Sequence, residues 1–287
     1  MTGQLFTYKQ MPVWNQDSIP AAFLARHNTQ PGTWGRLRVL KGSLKFYELD
    51  EHDTVLAEHL LTPESGVHTI PPQAWHKIEP QEGGVEIRLE FQCEAADYFN
   101  KKYGMTATHS AVKAAAGIIP PCKAIDLGCG QGRNALFLGL LGFDTTASDY
   151  NPGALANIDH LAEEEHITVS TLPYDMNLAN LPEQYDLMVA TVVFMFLDPA
   201  RVPAIIADMQ AKTEAGGYNL IVSAMDTADF PCRMPFSFTF KEGELRDYYQ
   251  GWTLHEYHEE IGAMHATDEN GNPIQLKFVT MLAQKPA

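Results

Sequence analysis

"AIDLGCGQGRN", residues 124–134, decides how the second half of the chain folds. A short apolar run carries Asp126 and ends at a turn with three glycines on alternate positions, Gly128, Gly130 and Gly132. A turn of this kind joins a buried strand to a helix and brings backbone close to a neighbour, because no Cβ stands in the way. Three ligand classes use such turns. A triphosphate loop needs Gly-x-x-x-x-Gly-Lys-Ser/Thr, and no lysine followed by a hydroxyl residue occurs here. A dinucleotide fingerprint needs a third glycine at position 133, which is Arg133. What remains is Asp-x-Gly-x-Gly-x-Gly, running on into Arg133 and Asn134.

The chain around this turn alternates strand and helix. "KAIDLG" reads as a strand and "RNALFLGLLG" as a helix ending at Gly142. "FDTTASD" is a strand, "PGALANIDHLAEEEH" a helix with Pro152 in its first turn, and "ITVSTLP" and "YDLMVATVVFMFL" strands or strand-led. "PARVPAIIADMQAKTEAGG" reads as a helix stopped by Gly216-Gly217, followed by the buried strand "YNLIVSAM". "WTLHEYHEEIG" and "IQLKFVTMLAQK", joined by "TDENGNP", read as a closing hairpin. The expected fold is α/β, a parallel sheet with helices on both faces. Residues 1–93 have a different texture and read as a small all-β sandwich or barrel. "GRLRVLKGSLKFYEL" alternates around Gly42 as a hairpin would, and "VHTIPPQAWHKIEP" and "GGVEIRLEFQC" read as further short strands. Two domains are therefore expected, 1–93 and 97–287.

The net charge of −16 repels phosphate backbones, so a nucleic-acid partner is not expected. Four scattered cysteines, with no Cys-x-x-Cys pair, point to a reducing compartment. The N-terminus lacks signal-peptide architecture and no apolar run approaches a membrane span, so a cytoplasmic protein without a membrane partner is expected. Homo-oligomerisation stays open.

Two acids follow the glycine turn at strand ends. Asp149 closes the strand after it, about 20 residues on, where an acid can accept both hydrogen bonds of a ribose diol. The alternative is that Asp149 or Asn151 caps the next helix. Asp175, in "LPYDMN", can accept from an adenine amino group. The glycine motif with these acids resembles the Rossmann-like S-adenosylmethionine-dependent methyltransferases. "YFNKKYGMTATHS", "TVVFMFL", "GGYNLIVSAMDT", "FPC", "FKEGELRDYYQGW" and "HATDENGN" together resemble, over roughly residues 97–287, the tellurite-resistance methyltransferases of the TehB type. The N-terminal half is similar to the cupin-like extension that some members carry.

The resemblance implies a seven-stranded sheet, S-adenosylmethionine as cofactor and S-adenosylhomocysteine as product. It places the methionine end of the cofactor on Asp126, Gly128, Cys129, Gly130, Gly132, Arg133 and Asn134, with Tyr103 and His109 closing over it. The sugar and adenine fall to Asp149, Tyr150, Asn151, Asp175 and Met176, above the strand edge Thr191, Val192 and Phe194. It further implies methyl transfer to tellurite, with selenite as the next acceptor, as a resistance step. A chalcogen oxyanion brings its own lone pair, so donors and cations are expected rather than a general base. His265 and Arg246 are the first candidates to hold the small oxyanion, and Arg233 and Lys241 the next. The family pattern often has arginine after the matching histidine, where this chain has Ala266. A small organic thiol or amine as acceptor, and a ligand-sensing β domain without turnover, stay open. His27, His52, His59, His68 and His76 do not complete a cupin ligand set, so no metal is expected.

Overall fold

The computed structural model describes residues 3–267 and 269–287, the side chain of His265 excepted. The chain divides into two compact units, Met1–Gly104 and Met105–Ala287.

In the first unit, β1 (Leu5–Gln10), β2 (Trp14–Asn15), β3 (Trp34–Leu49), β4 (Val55–Leu61), β5 (Val67–Ile70) and β6 (His76–Glu94) form one antiparallel sheet of six strands. A four-residue helix, α1 (Ala21–Leu24), interrupts it, and α2 (Ala95–Tyr103) follows. The sheet differs from the expected set of short hairpins. "GRLRVLKGSLKFYEL" is not a hairpin but part of one 16-residue strand, and Gly83-Gly84 does not separate strands but lies inside the 19-residue β6. The reason is a paired kink. Gly42 and Gly84 both take positive φ (72° and 83°), and the β3–β6 register shifts around them. A Cβ on Gly42 would stand 1.9 Å from the Gly84 carbonyl oxygen. The two long strands thus bend together, and their inner face buries Leu37, Leu44, Phe46, Ile78, Ile87 and Leu89.

The second unit begins with α3 (Ser110–Ile118). It continues as β7 (Lys123–Leu127), α4 (Arg133–Leu140), β8 (Asp144–Asp149), α5 (Pro152–Glu164), β9 (Val169–Pro173), β10 (Tyr185–Thr191), α6 (Val202–Lys212) and β11 (Thr213–Ala224). The chain ends with α7 (Glu244–Tyr248) and the hairpin β12 (Thr253–Thr267) and β13 (Pro273–Gln284). The strands form one seven-stranded sheet in the order β9-β8-β7-β10-β11-β13-β12. All neighbours are parallel except β13, which runs antiparallel to both β11 and β12. The strand order reverses between β7 and β10, the place where a doubly wound sheet opens a crevice at its carboxyl edge. One boundary moves: Gly216-Gly217 lies within β11, and the helix before it stops at Thr213, whose hydroxyl donates to Met209 O and Asn219 Oδ1. Among the described residues no helix is long and apolar enough to cross a membrane.

Gly42→Ala should destabilise the first unit by about 2–4 kcal/mol, the sum of overpacking against backbone and a left-handed φ. Urea unfolding followed at the tryptophans of that unit checks it, with Gly66→Ala, where a Cβ meets nothing within 4 Å, as the control for positive φ alone.

Candidate active site

The three glycines of the turn serve different purposes. A Cβ on Gly128 would lie 2.2 Å from Val193 Cγ2, and one on Gly132 2.6 Å from Ile158 Cγ1, so both are glycine because the protein's own side chains press on them. A Cβ on Gly130 would meet nothing within 4 Å. Gly130 is thus the glycine that faces open space, and the one a ligand could approach. Val193 reaches Gly128 because Val192 adopts φ +58°, a strained conformation for a β-branched residue, at the end of β10. The sequence carries no signal for this role of Val193.

Asp149, the last residue of β8, holds the turn. Its Oδ2 accepts from Gly130 N at 2.9 Å and its Oδ1 from Asn151 N at 2.9 Å. Asp149 is 9% exposed, and each carboxylate oxygen, accepting one N–H, keeps a lone pair. Asn151, not Asp149, caps α5, accepting from Gly153 N and Ala154 N, so its Oδ1 is engaged there. Tyr150 beside them is 81% exposed. Asp175 is exposed and caps the short turn Met176–Leu178 by accepting from Asn177 N at 2.9 Å; Met176 itself is buried.

Asp126 is buried at the end of β7, and its Oδ2 has no hydrogen-bond partner. Burial pushes its carboxyl up to about 7, against the opposing pull of the Arg133 guanidinium. Asn134 ties the surroundings together: its Nδ2 donates to Thr191 Oγ1 at 2.9 Å, and its Oδ1 accepts from His109 N at 3.1 Å. His109 caps α3, its Nδ1 accepting from Ala111 N. The buried Cys129 packs in the turn, where its N donates to Ser148 O, and burial raises its thiol pKa far above the usual range. Arg133 is half-buried and donates to Ala107 O. Phe194 is fully buried and its ring meets that of Phe240 in the core. Tyr103 belongs to the first unit, where it stacks on Phe99.

The cationic candidates lie elsewhere in the second unit. The Arg246 guanidinium sits over the Tyr257 ring at 4.2 Å, and Lys241 pairs with Asp226 at 2.6 Å. Arg233 is exposed and has no ion-pair partner among the described residues. It lies between Cys232 and Met234, which pack with Phe236, Met264 and Phe278 around buried Met195. His265 lies in β12, but its side chain falls outside the described residues.

A buried acid with an orphaned oxygen, a second acid with spare lone pairs and an open glycine suit a ligand with an ammonium and a diol. They do not suit a pyrophosphate, which two carboxylates would repel. Residues 91–282 match the family model described as "Tellurite resistance protein TehB", and residues 9–89 match the "TehB-like domain". The chain belongs to the TehB family. It is 55% identical over 285 residues to the "Probable S-adenosyl-L-methionine-dependent methyltransferase TehB" of Haemophilus influenzae, covering 99% of this chain and 100% of that one. The crystal structure of the Haemophilus influenzae TehB superimposes with a TM-score of 0.95, at the same coverage of both chains. A protein of Eikenella corrodens named "Hemagglutinin 1" is 61% identical over 240 residues, 84% of this chain and 80% of its own. The family boundary near residue 90 assigns α2 to the TehB part, whereas α2 packs with β1 and β6.

Two outcomes follow. Gly128→Ala and Gly132→Ala should each cost about 2 kcal/mol or more of stability by clash, while Gly130→Ala should cost only the left-handed φ penalty of about 1–2 kcal/mol; chemical denaturation ranks the three. Asp126 binds a proton in the folded state up to about 7 but releases it near 3.8 when unfolded. Stability therefore falls as pH rises from about 4 to about 7 on this group's account. Asp126→Asn should remove that decline, so its Tm should gain on the wild type between pH 5 and about 7 and level off above.

Proposed function

We propose that the C-terminal unit is an S-adenosylmethionine-dependent methyltransferase whose acceptor is tellurite. The observation that carries the reading is the set of groups around the turn: the open backbone at Gly130, the orphaned Asp126 Oδ2 and the two spare lone pairs of Asp149. Bound S-adenosylmethionine supplies an activated methyl group on a sulfonium. The protein's task is then to bind, orient and exclude water.

In this reading Asp149 takes the ribose hydroxyls while its held N–H contacts keep the carboxylate fixed. Asp126 faces the ammonium of the methionine part, and its ionisation is favoured once that charge arrives. Asp175 and the exposed Tyr150 lie on the adenine side, and Thr191, fixed by Asn134, borders the sugar. Because β-branched Val192 carries the strain at the strand end, Val193 closes the floor beneath Gly128. His109 borders the methionine end.

The acceptor's lone pair forms the bond to the methyl carbon, and the sulfur keeps the electrons of the bond that breaks. No proton needs to be removed from an oxyanion, so no general base is required. Arg233, which has no ion-pair partner among the described residues, becomes the first candidate to hold the substrate oxygens, with Arg246 available on leaving Tyr257, and Lys241 only on leaving Asp226. His265 is the fourth member of that set. The half-buried methionines and Phe236 beside Arg233 also suit an apolar thiol or amine, which makes those acceptors the second reading.

The assay is S-adenosylhomocysteine release by the whole chain with tellurite, selenite or small thiols, with methylated tellurium identified by mass spectrometry. Release with thiols alone would overturn tellurite as the acceptor, and none with any acceptor would overturn the enzyme reading. Asp149→Ala should weaken S-adenosylhomocysteine binding by about 2 kcal/mol in calorimetry, since a buried charged acceptor is lost. Arg233→Ala should lower turnover about tenfold with that affinity unchanged.

A further inference from the structure

We propose that the N-terminal sheet holds a binding site of its own for a small carboxylate with an apolar body and a hydrogen-bond donor, of the hydroxybenzoate type. A cavity of about 340 Å³ lies inside the first unit, walled by β6, by residues of β1 and β3 and by the segment 27–33. This volume sits at the small end of ligand pockets and suits one ring with substituents. Its walls include Leu37, Ile78, Ile87 and Leu89, all buried.

Two polar features face it. The first is positive. Lys101 and Lys9 line the cavity, and no aspartate or glutamate does, in a chain of net charge −16. The Lys101 ammonium donates to Pro31 O at 2.9 Å and Thr33 Oγ1 at 3.0 Å, and Thr33 Oγ1 also meets Tyr8 Oη at 3.3 Å. Three donors belong to an ammonium, so one remains for a carboxylate.

The second feature is a pair of imidazoles. His27 and His76 exchange backbone hydrogen bonds, and their ring centroids are 4.1 Å apart. Each donates Nδ1–H to the carbonyl two residues earlier, Ala25 O at 2.9 Å and Ala74 O at 2.8 Å. That fixes Nε2 as the bare, accepting nitrogen of each neutral ring. Burial keeps both rings neutral, with His76 driven down to about 4. His27 Nε2 is buried and has no hydrogen-bond partner. An orphaned acceptor on a cavity wall calls for a donor on whatever fills the cavity. Among the described residues no third ligand stands by to make the pair a metal site.

The test uses the full chain in calorimetry with 4-hydroxybenzoate, benzoate and 4-hydroxybenzamide. The expected order is 4-hydroxybenzoate at least tenfold tighter than either of the others. Lys101→Met should erase the preference for acid over amide, and His27→Phe the preference for the hydroxyl. Ile87→Phe should fill the cavity and abolish all three affinities, while S-adenosylhomocysteine binding is unchanged. No heat from any probe in the wild type up to about 10 mM would overturn the site, since such affinity lies below about 3 kcal/mol. Equal acid and amide binding, or an unchanged preference in Lys101→Met, would overturn its anionic class. Lys101 and His27 lie outside the sheet strands, so their variants decide the matter even if Ile87→Phe fails to fold.

Discussion

The carboxylate of Asp149 is the constraint from which the second unit's site follows. It ends β8, and by accepting from Gly130 N it ties that strand to the turn that ends β7. The parallel register of β7 and β8 makes this tie available, because Leu127, the last residue of β7, lies opposite Ser148, and Asp149 follows as the last residue of β8. Its other oxygen fixes Asn151 N, and Asn151 in turn caps α5. One side chain thereby sets the glycine turn, the start of a helix and the position of a negative charge at the carboxyl edge. A charge held by two N–H groups is fixed before a ligand arrives, which lowers the ordering cost of binding.

Asp126 supplies the complementary tension. Its burial with one oxygen unpartnered costs stability in the folded chain. Thr191, Asn134 and His109 N are linked by hydrogen bonds around it, yet none of these satisfies that oxygen. A group kept unsatisfied inside so well-bonded a frame is the signature of a site built for its ligand rather than for the empty fold. Val192 adds to the same account, since its left-handed backbone is maintained by the packing of Val193 against Gly128.

Much of this was legible in the sequence, for identifiable reasons. The glycine turn, Asp149 at the strand end and the closing hairpin are local patterns, and local patterns survive in a single chain. What escaped depends on pairs far apart in sequence. Gly42 and Gly84 look like turn residues, and only their apposition makes them a shared kink in two long strands. Gly216-Gly217 likewise reads as a helix stop, although the hydroxyl of Thr213 ends the helix first. Phe194 and Val193 are neighbours in an apolar run, and periodicity cannot tell which turns into the core once the strand gives way to a 3-10 turn at Phe194–Phe196. Nor does a histidine before a helix announce whether its ring faces a ligand or, as His109 does, caps the helix.

The acceptor side poses a different electrostatic problem. At the turn the chain gathers Asp126 and Asp149, which suit a cation. For an oxyanion, the described cations of the insert are few: Lys241 is neutralised by Asp226, Arg246 is spread over an aromatic face, and Arg233 is exposed. On the proposed reading the strongest positive charge the substrate meets is the sulfonium itself, and it disappears as the methyl moves. The attraction that draws substrate in is therefore lost in the product state. What remains is a neutral thioether and a methylated product one charge unit less negative than the substrate, with no sulfonium to hold it. That favours release without any further device, and a tighter cationic cradle would retard it. On that reading the sparse cations of the insert fit a site that must let go of its product as readily as it takes up a charged substrate.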